Sequence, residues 1–84
     1  MSAKEMFEKL GYELDEDNDI EILYKMKWEI SSTYYVSFDL GYKNFECFVT
    51  SDSPFEPAKS FAVDLDLLQA INKQVEELGW EVNK

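Results

Sequence analysis

The chain has 84 residues, with 18 Asp or Glu against eight Lys or Arg and a formal net charge of −10. That length supports one domain, residues 1–84, burying roughly 60% of its unfolded surface, and 45% apolar residues are too many for a disordered chain. The acidity argues against nucleic acid and anionic membranes as direct partners, because neutralising phosphates requires clustered Lys and Arg.

Ser2-Ala3-Lys4-Glu5 fits a capping box, in which Ser2 accepts from the Glu5 amide and Glu5 reaches back. A short helix follows, with Ala3, Met6, Phe7 and Leu10 on one face. Gly11 supplies the left-handed residue that closes it. At about two turns, this helix needs a docking partner to be stable. Tyr12 to Leu14 reads as a short first strand, and Asp15-Glu16-Asp17-Asn18-Asp19 as a turn.

Three apolar-alternating runs come next, and they set the fold. Ile20, Ile22, Tyr24, Met26 and Trp28 share one face; Tyr34, Val36, Phe38 and Leu40 share another stretch of it; Phe45, Cys47 and Val49 complete it. Period two over successive runs predicts antiparallel strands with one face on a core. The connection Glu29–Thr33 must hold an odd number of residues to keep Trp28 and Tyr34 on the same face. Around Gly41–Asn44 a tight hairpin is expected, pairing Leu40 with Phe45, Phe38 with Cys47 and Val36 with Val49.

Ser51 to Ser60 reads as a loop, because Pro54 and Pro57 oppose regular pairing. Phe61 to Val63 either adds an edge strand or leads into the last helix. Asp64 is its N-cap and Asp66 lies in its first turn, where the helix dipole favours a negative charge. Leu65, Leu68, Ile71, Val75 and Leu78 form the expected apolar stripe, broadened by Leu67. The ending Val75-Glu76-Glu77-Leu78-Gly79-Trp80 repeats the pattern of Phe7-Glu8-Lys9-Leu10-Gly11-Tyr12, one good helix stop used twice. The expected architecture is a two-layer α+β sandwich, an antiparallel three- to four-stranded meander with both terminal helices on one face.

Sites for chemistry are sparse. Asp15, Asp17 and Asp19 match the first three ligand positions of a calcium loop, but Ile20 replaces the turn glycine and Met26 the final Glu. A solvated turn is therefore expected, with no metal ligand and no cofactor site. With no histidine, the usual general base is missing, and no catalytic residue is assigned. The single cysteine, Cys47, lies on the inward face and reads as an inert core thiol in a reducing compartment. No continuous apolar run opens the chain and none approaches the roughly 18–20 residues of a membrane span, so a cytoplasmic location is expected.

One feature of the outward sheet face is harder to explain. Each long strand places one apolar residue there: Leu23, Tyr35 and Phe48. With the hairpin register above, Phe48 stands opposite Ser37 and Tyr35 is its diagonal neighbour. These three are the candidate protein-contact residues, for another protein or for a second copy of the chain.

The opening Ala3-Lys4-Glu5-Met6-Phe7-Glu8-Lys9-Leu10-Gly11-Tyr12 and the closing Leu68-Gln69-Ala70-Ile71-Asn72-Lys73-Gln74-Val75-Glu76-Glu77-Leu78-Gly79-Trp80 resemble small uncharacterised proteins of Gram-positive bacteria and their phages and prophages. The likeness covers the two ends and rests on helix-and-stop patterns. It implies a cytosolic accessory protein with a phage connection and carries over no activity or functional residue. The leading expectation is a non-enzymatic accessory protein acting through protein contact. Two alternatives stand beside it: an acidic decoy that imitates DNA to occupy a DNA-binding protein, and a carboxylate-based metal enzyme.

Overall fold

The computed structural model describes residues 1–53 and 55–80. Helix α1 (Ala3–Lys9) leads into five strands, β1 (Glu13–Asp17), β2 (Glu21–Glu29), β3 (Ser32–Asp39), β4 (Asn44–Ser51) and β5 (Lys59–Ser60). Helix α2 (Leu65–Glu77) ends the described fold. The strands form one antiparallel meander in chain order, β1 through β5. Both helices pack on one face, so the molecule is a two-layer α+β sandwich.

The helix ends follow from local sequence. Ser2 Oγ accepts from the Glu5 amide at 3.2 Å, and the Ser2 amide donates to Glu5 Oε1 at 3.1 Å. That charge-assisted bond from the Ser2 amide, with the one from its hydroxyl, holds the Glu5 carboxyl below its ordinary pKa. Gly11 at φ +97° and Gly79 at φ +72° close the two helices in Schellman motifs. Gly11 N donates to Glu8 O and Tyr12 N to Phe7 O; Gly79 N donates to Glu76 O and Trp80 N to Val75 O. The first closure folds Tyr12 back on Phe7, ring centroids 5.8 Å apart and edge to face.

Phe7 is the hub of the core. Its ring stacks on Tyr24 at 3.9 Å and meets Phe38 edge on at 6.2 Å. Ile22, Val36, Leu67, Ala70 and Ile71 complete the buried cluster. The Ala3 amide donates to Glu77 Oε2 at 2.7 Å, tying the start of α1 to the end of α2. This contact supplies the docking that so short a helix requires.

Several expected details shift. The first strand runs on through Asp17, past the Leu14 expected, with a bulge between Leu14 and Glu16. The turn falls on Asn18, Asp19 and Ile20, because Asn18 Oδ1 accepts from both the Ile20 and Glu21 amides. Ile20 is therefore outside the strand and 75% exposed. Between β2 and β3 the loop is only Ile30-Ser31, pairing Glu29 with Ser32. Carried inward, that register would set Met26 against Tyr35 and exchange the faces. A bulge at Trp28 absorbs the extra residue and restores Met26 opposite Tyr34.

The β3–β4 hairpin is two residues out of the expected register. Phe38 pairs with Phe45, Val36 with Cys47 and Tyr34 with Val49. The cause is Asp39, whose Oδ1 accepts from the Gly41 and Tyr42 amides at 2.9 Å while its carbonyl accepts from Lys43. Lys43, not Gly41, takes the left-handed position, at φ 56°. A four-residue loop results, and the Leu40 amide bonds Ile20 O instead of Phe45. A slip of two preserves the faces, which is why alternation alone does not reveal it.

The fifth strand is Lys59–Ser60, inside the stretch expected to be loop and ahead of Phe61–Val63. Pro54 lies outside the described residues. Phe61 turns inward onto Tyr34, ring centroids 5.0 Å apart. Asp64 caps α2 as expected, accepting from the Leu67 amide at 2.8 Å.

The buried face of α2 is rotated from the expected stripe. Leu67, Ala70, Ile71 and Gln74 are buried, whereas Leu65 is 76% and Leu68 40% exposed. Gln74 can enter the core because the Tyr24 hydroxyl donates to its Oε1 at 2.7 Å. Ala70 is fully buried in place of Leu68.

Candidate functional site

The outward sheet face is positioned by the register. Tyr35 stands directly opposite Phe48 on one side and Lys25 on the other, and Leu23 stands opposite Ser37. The expected Ser37–Phe48 pairing is replaced by Ser37–Glu46, a consequence of the two-residue shift in the hairpin. Tyr35 and Phe48 thereby become partners: their rings stack, with centroids 5.1 Å apart and planes 22° from parallel. Leu23 is the diagonal neighbour of Tyr35, so the three side chains make one oblique apolar stripe. All three are half-buried by their neighbours on the sheet.

The rim is polar and mostly acidic. Lys25 Nζ lies 3.0 Å from Asp15 Oδ1 and 3.9 Å from Glu13 Oε1. Its hydrogen bond to Asp15, reinforced by that carboxylate's charge, raises the ammonium pKa. Glu21, Asp39 and Glu46 lie on this face by register, and the Ser37 hydroxyl reaches Glu21 Oε2 at 3.5 Å. An apolar centre inside a polar rim is the common layout of a protein interface. The calcium-like run is dispersed: Asp15 and Asp17 belong to β1, and Asp15 is engaged by Lys25. Among the described residues, no group of three or more His, Cys, Asp or Glu is arranged to hold a metal ion.

Cys47 is half-buried opposite Val36 and packs against the core. Burial pushes its thiol pKa up, which keeps it protonated and poorly nucleophilic at neutral pH. No described helix is long and apolar enough to cross a membrane.

A second feature went unforeseen in the sequence. On the helix-bearing side, near the β2–β3 turn, a cleft of about 320 Å³ opens between sheet and helices. Tyr12, Trp28, Tyr34 and Phe61 line it, with Met26 and Asp64 beside them. Four rings from four segments converge there: one after α1, one at the β2 bulge, one on β3 and one ahead of α2. The requirement that Trp28 and Tyr34 share a face was the single sequence signal for it. Neither the bulge nor the inward turn of Phe61 could be read from residue spacing.

Comparison of the chain with protein-family models, with curated proteins and with solved structures gives no match.

Proposed function

We propose that this chain is a non-enzymatic accessory protein that acts in the cytoplasm by binding another protein through its outer sheet face. The observation that carries this reading is the stacked Tyr35–Phe48 pair, on the face opposite both helices. A cross-strand aromatic pair offers a rigid contact surface at little cost in side-chain entropy. The acidic rim and the net charge of −10 favour a partner whose apolar contact is ringed by Lys or Arg. The same charge opposes self-association at low salt, so a different protein fits better than a second copy.

The test is affinity capture from the host with the native chain and with a Tyr35→Ser/Phe48→Ser variant, each confirmed as folded by circular dichroism. The expected result is a specific protein held by the native chain and released by the variant, with retention falling as salt rises. Equal capture by both, or no specific capture, rejects the outer face as the working surface. A native dimer that the variant splits into monomers would replace the proposed partner with a second copy.

A further inference from the structure

Beyond that reading, and on the opposite side of the sheet, we propose that the aromatic cleft binds a small organic ammonium ion of the quaternary, choline-like kind. The cleft's volume, about 320 Å³, lies at the lower end of small-molecule sites, which run from about 300 to 1,000 Å³. That size suits a compact ligand and is one reason to assign a free ion as the occupant.

The lining decides the charge. Tyr12, Trp28, Tyr34 and Phe61 bring four π-systems to one recess, where Tyr34 and Phe61 meet edge to face with ring centroids 5.0 Å apart. Ring faces attract cations, and a recess walled by several rings is suited to an alkylated ammonium, whose charge is spread over a greasy shell. An inorganic cation would have to give up its hydration for too few oxygen ligands. Met26, Leu10 and Leu67 supply the apolar floor that methyl groups require.

Charge complementarity points the same way. The described lining contains no Lys or Arg and one carboxylate, Asp64. One of its oxygens, Oδ1, caps α2 through the Leu67 amide. The partial positive charge at the α2 N-terminus, about half an elementary charge, works against a cation, but Asp64 and Asp66 together outweigh it. Trp28 is 66% exposed and forms the open wall, so a ligand can enter without unfolding the site.

The experiment titrates the intact chain with choline and, in parallel, with 3,3-dimethylbutan-1-ol, the same shape with carbon in place of the charged nitrogen. Amide and indole NMR shifts report the site. Choline is expected to bind saturably, at least about tenfold more tightly than the neutral alcohol, with the shifts centred on Trp28, Tyr34 and Phe61. Trp28→Leu is expected to weaken choline by about tenfold, and Phe61→Leu, which keeps an apolar side chain, by severalfold. Asp64→Asn retains a good helix cap while removing the charge, so it should weaken choline severalfold and leave the alcohol unchanged. Equal affinity for the two probes, no saturable binding, or an Asp64→Asn variant that binds choline normally would each overturn the proposal. A trimethyllysine peptide that binds while choline does not would overturn the free ion as the occupant. The outer-face variant Tyr35→Ser/Phe48→Ser should bind choline as the native chain does, which separates this proposal from the protein-contact reading.

Discussion

The inner and outer faces of the sheet are written in the same period-two alternation, and they differ in what lies against them. On the inner face, Ile22, Tyr24, Val36 and Phe38 are buried beneath the two helices, and Phe7 stacks into their centre. On the outer face, Leu23, Tyr35 and Phe48 shield one another and remain half-exposed within an acidic rim. Burial is therefore not a property of the alternating pattern. It is decided by where the helices dock, and both dock on the face with more and larger apolar side chains.

The contrast is sharpest in a pair of truncations. Phe38→Ala empties a site sealed on every side and should destabilise the fold by about 3–5 kcal/mol. Phe48→Ala removes a ring of the same size from the outer face and should cost about 1 kcal/mol. Urea denaturation of both variants measures the difference, and comparable losses would mean that the outer face is as structural as the inner.

A smaller effect tests how the inner face tolerates polarity. Tyr24→Phe deletes the hydroxyl that satisfies the buried Gln74 and should cost about 1–3 kcal/mol. Adding Gln74→Leu should recover part of that loss, because both polar partners are then gone. The same region sets the alkaline limit. Burial, followed by the charges of Glu77, Asp17 and Glu8, raises the Tyr24 pKa to about 12, and Tyr12 lies at about 12 as well. Both hydroxyls are neutral when protonated and ionise in the unfolded chain near pH 10. Between pH 10 and about 12 the unfolded chain holds fewer protons, so stability is full below 10 and falls as pH rises through that window. Melting temperature against pH checks the sign, and a flat profile from pH 10 to 12 contradicts it.

The smallest effect concerns the outer face alone. A double-mutant cycle on Tyr35 and Phe48 should give a coupling of about 0.5–1.5 kcal/mol from stacking. A coupling near zero would mean that the two rings lie together without holding each other, and would weaken the case for a preformed contact surface.

Parity along each strand was readable, whereas the choice of turn and the meeting of separate segments were not. Leu23, Tyr35 and Phe48 were identifiable as outward-facing apolar residues, since parity survives any even slip. That Tyr35 stacks directly on Phe48 was not, because Asp39 selects a four-residue turn through side-chain bonds to Gly41 and Tyr42. The aromatic cleft was hidden more deeply. It needs the Trp28 bulge, the inward turn of Phe61 and the return of Tyr12 after Gly11 to coincide.

The sequence alone determined the ends of both helices. The Ser2–Glu5 capping box, the Asp64 cap and the two glycine stops rest on bonds between residues at most five apart. The inward face of each strand followed from parity. Tertiary structure decided the rotation of α2, whereas the hairpin register was set locally by the bonds of Asp39 to Gly41 and Tyr42. Leu65 and Leu68 lost their expected burial, and Gln74 is held inward by Tyr24, 50 positions away. A helical stripe broader than the available contact can dock at more than one rotation, and a strand can slip by two without exchanging its faces. A partner distant in sequence fixes the helix rotation, and the choice among several possible local turns fixes the strand register.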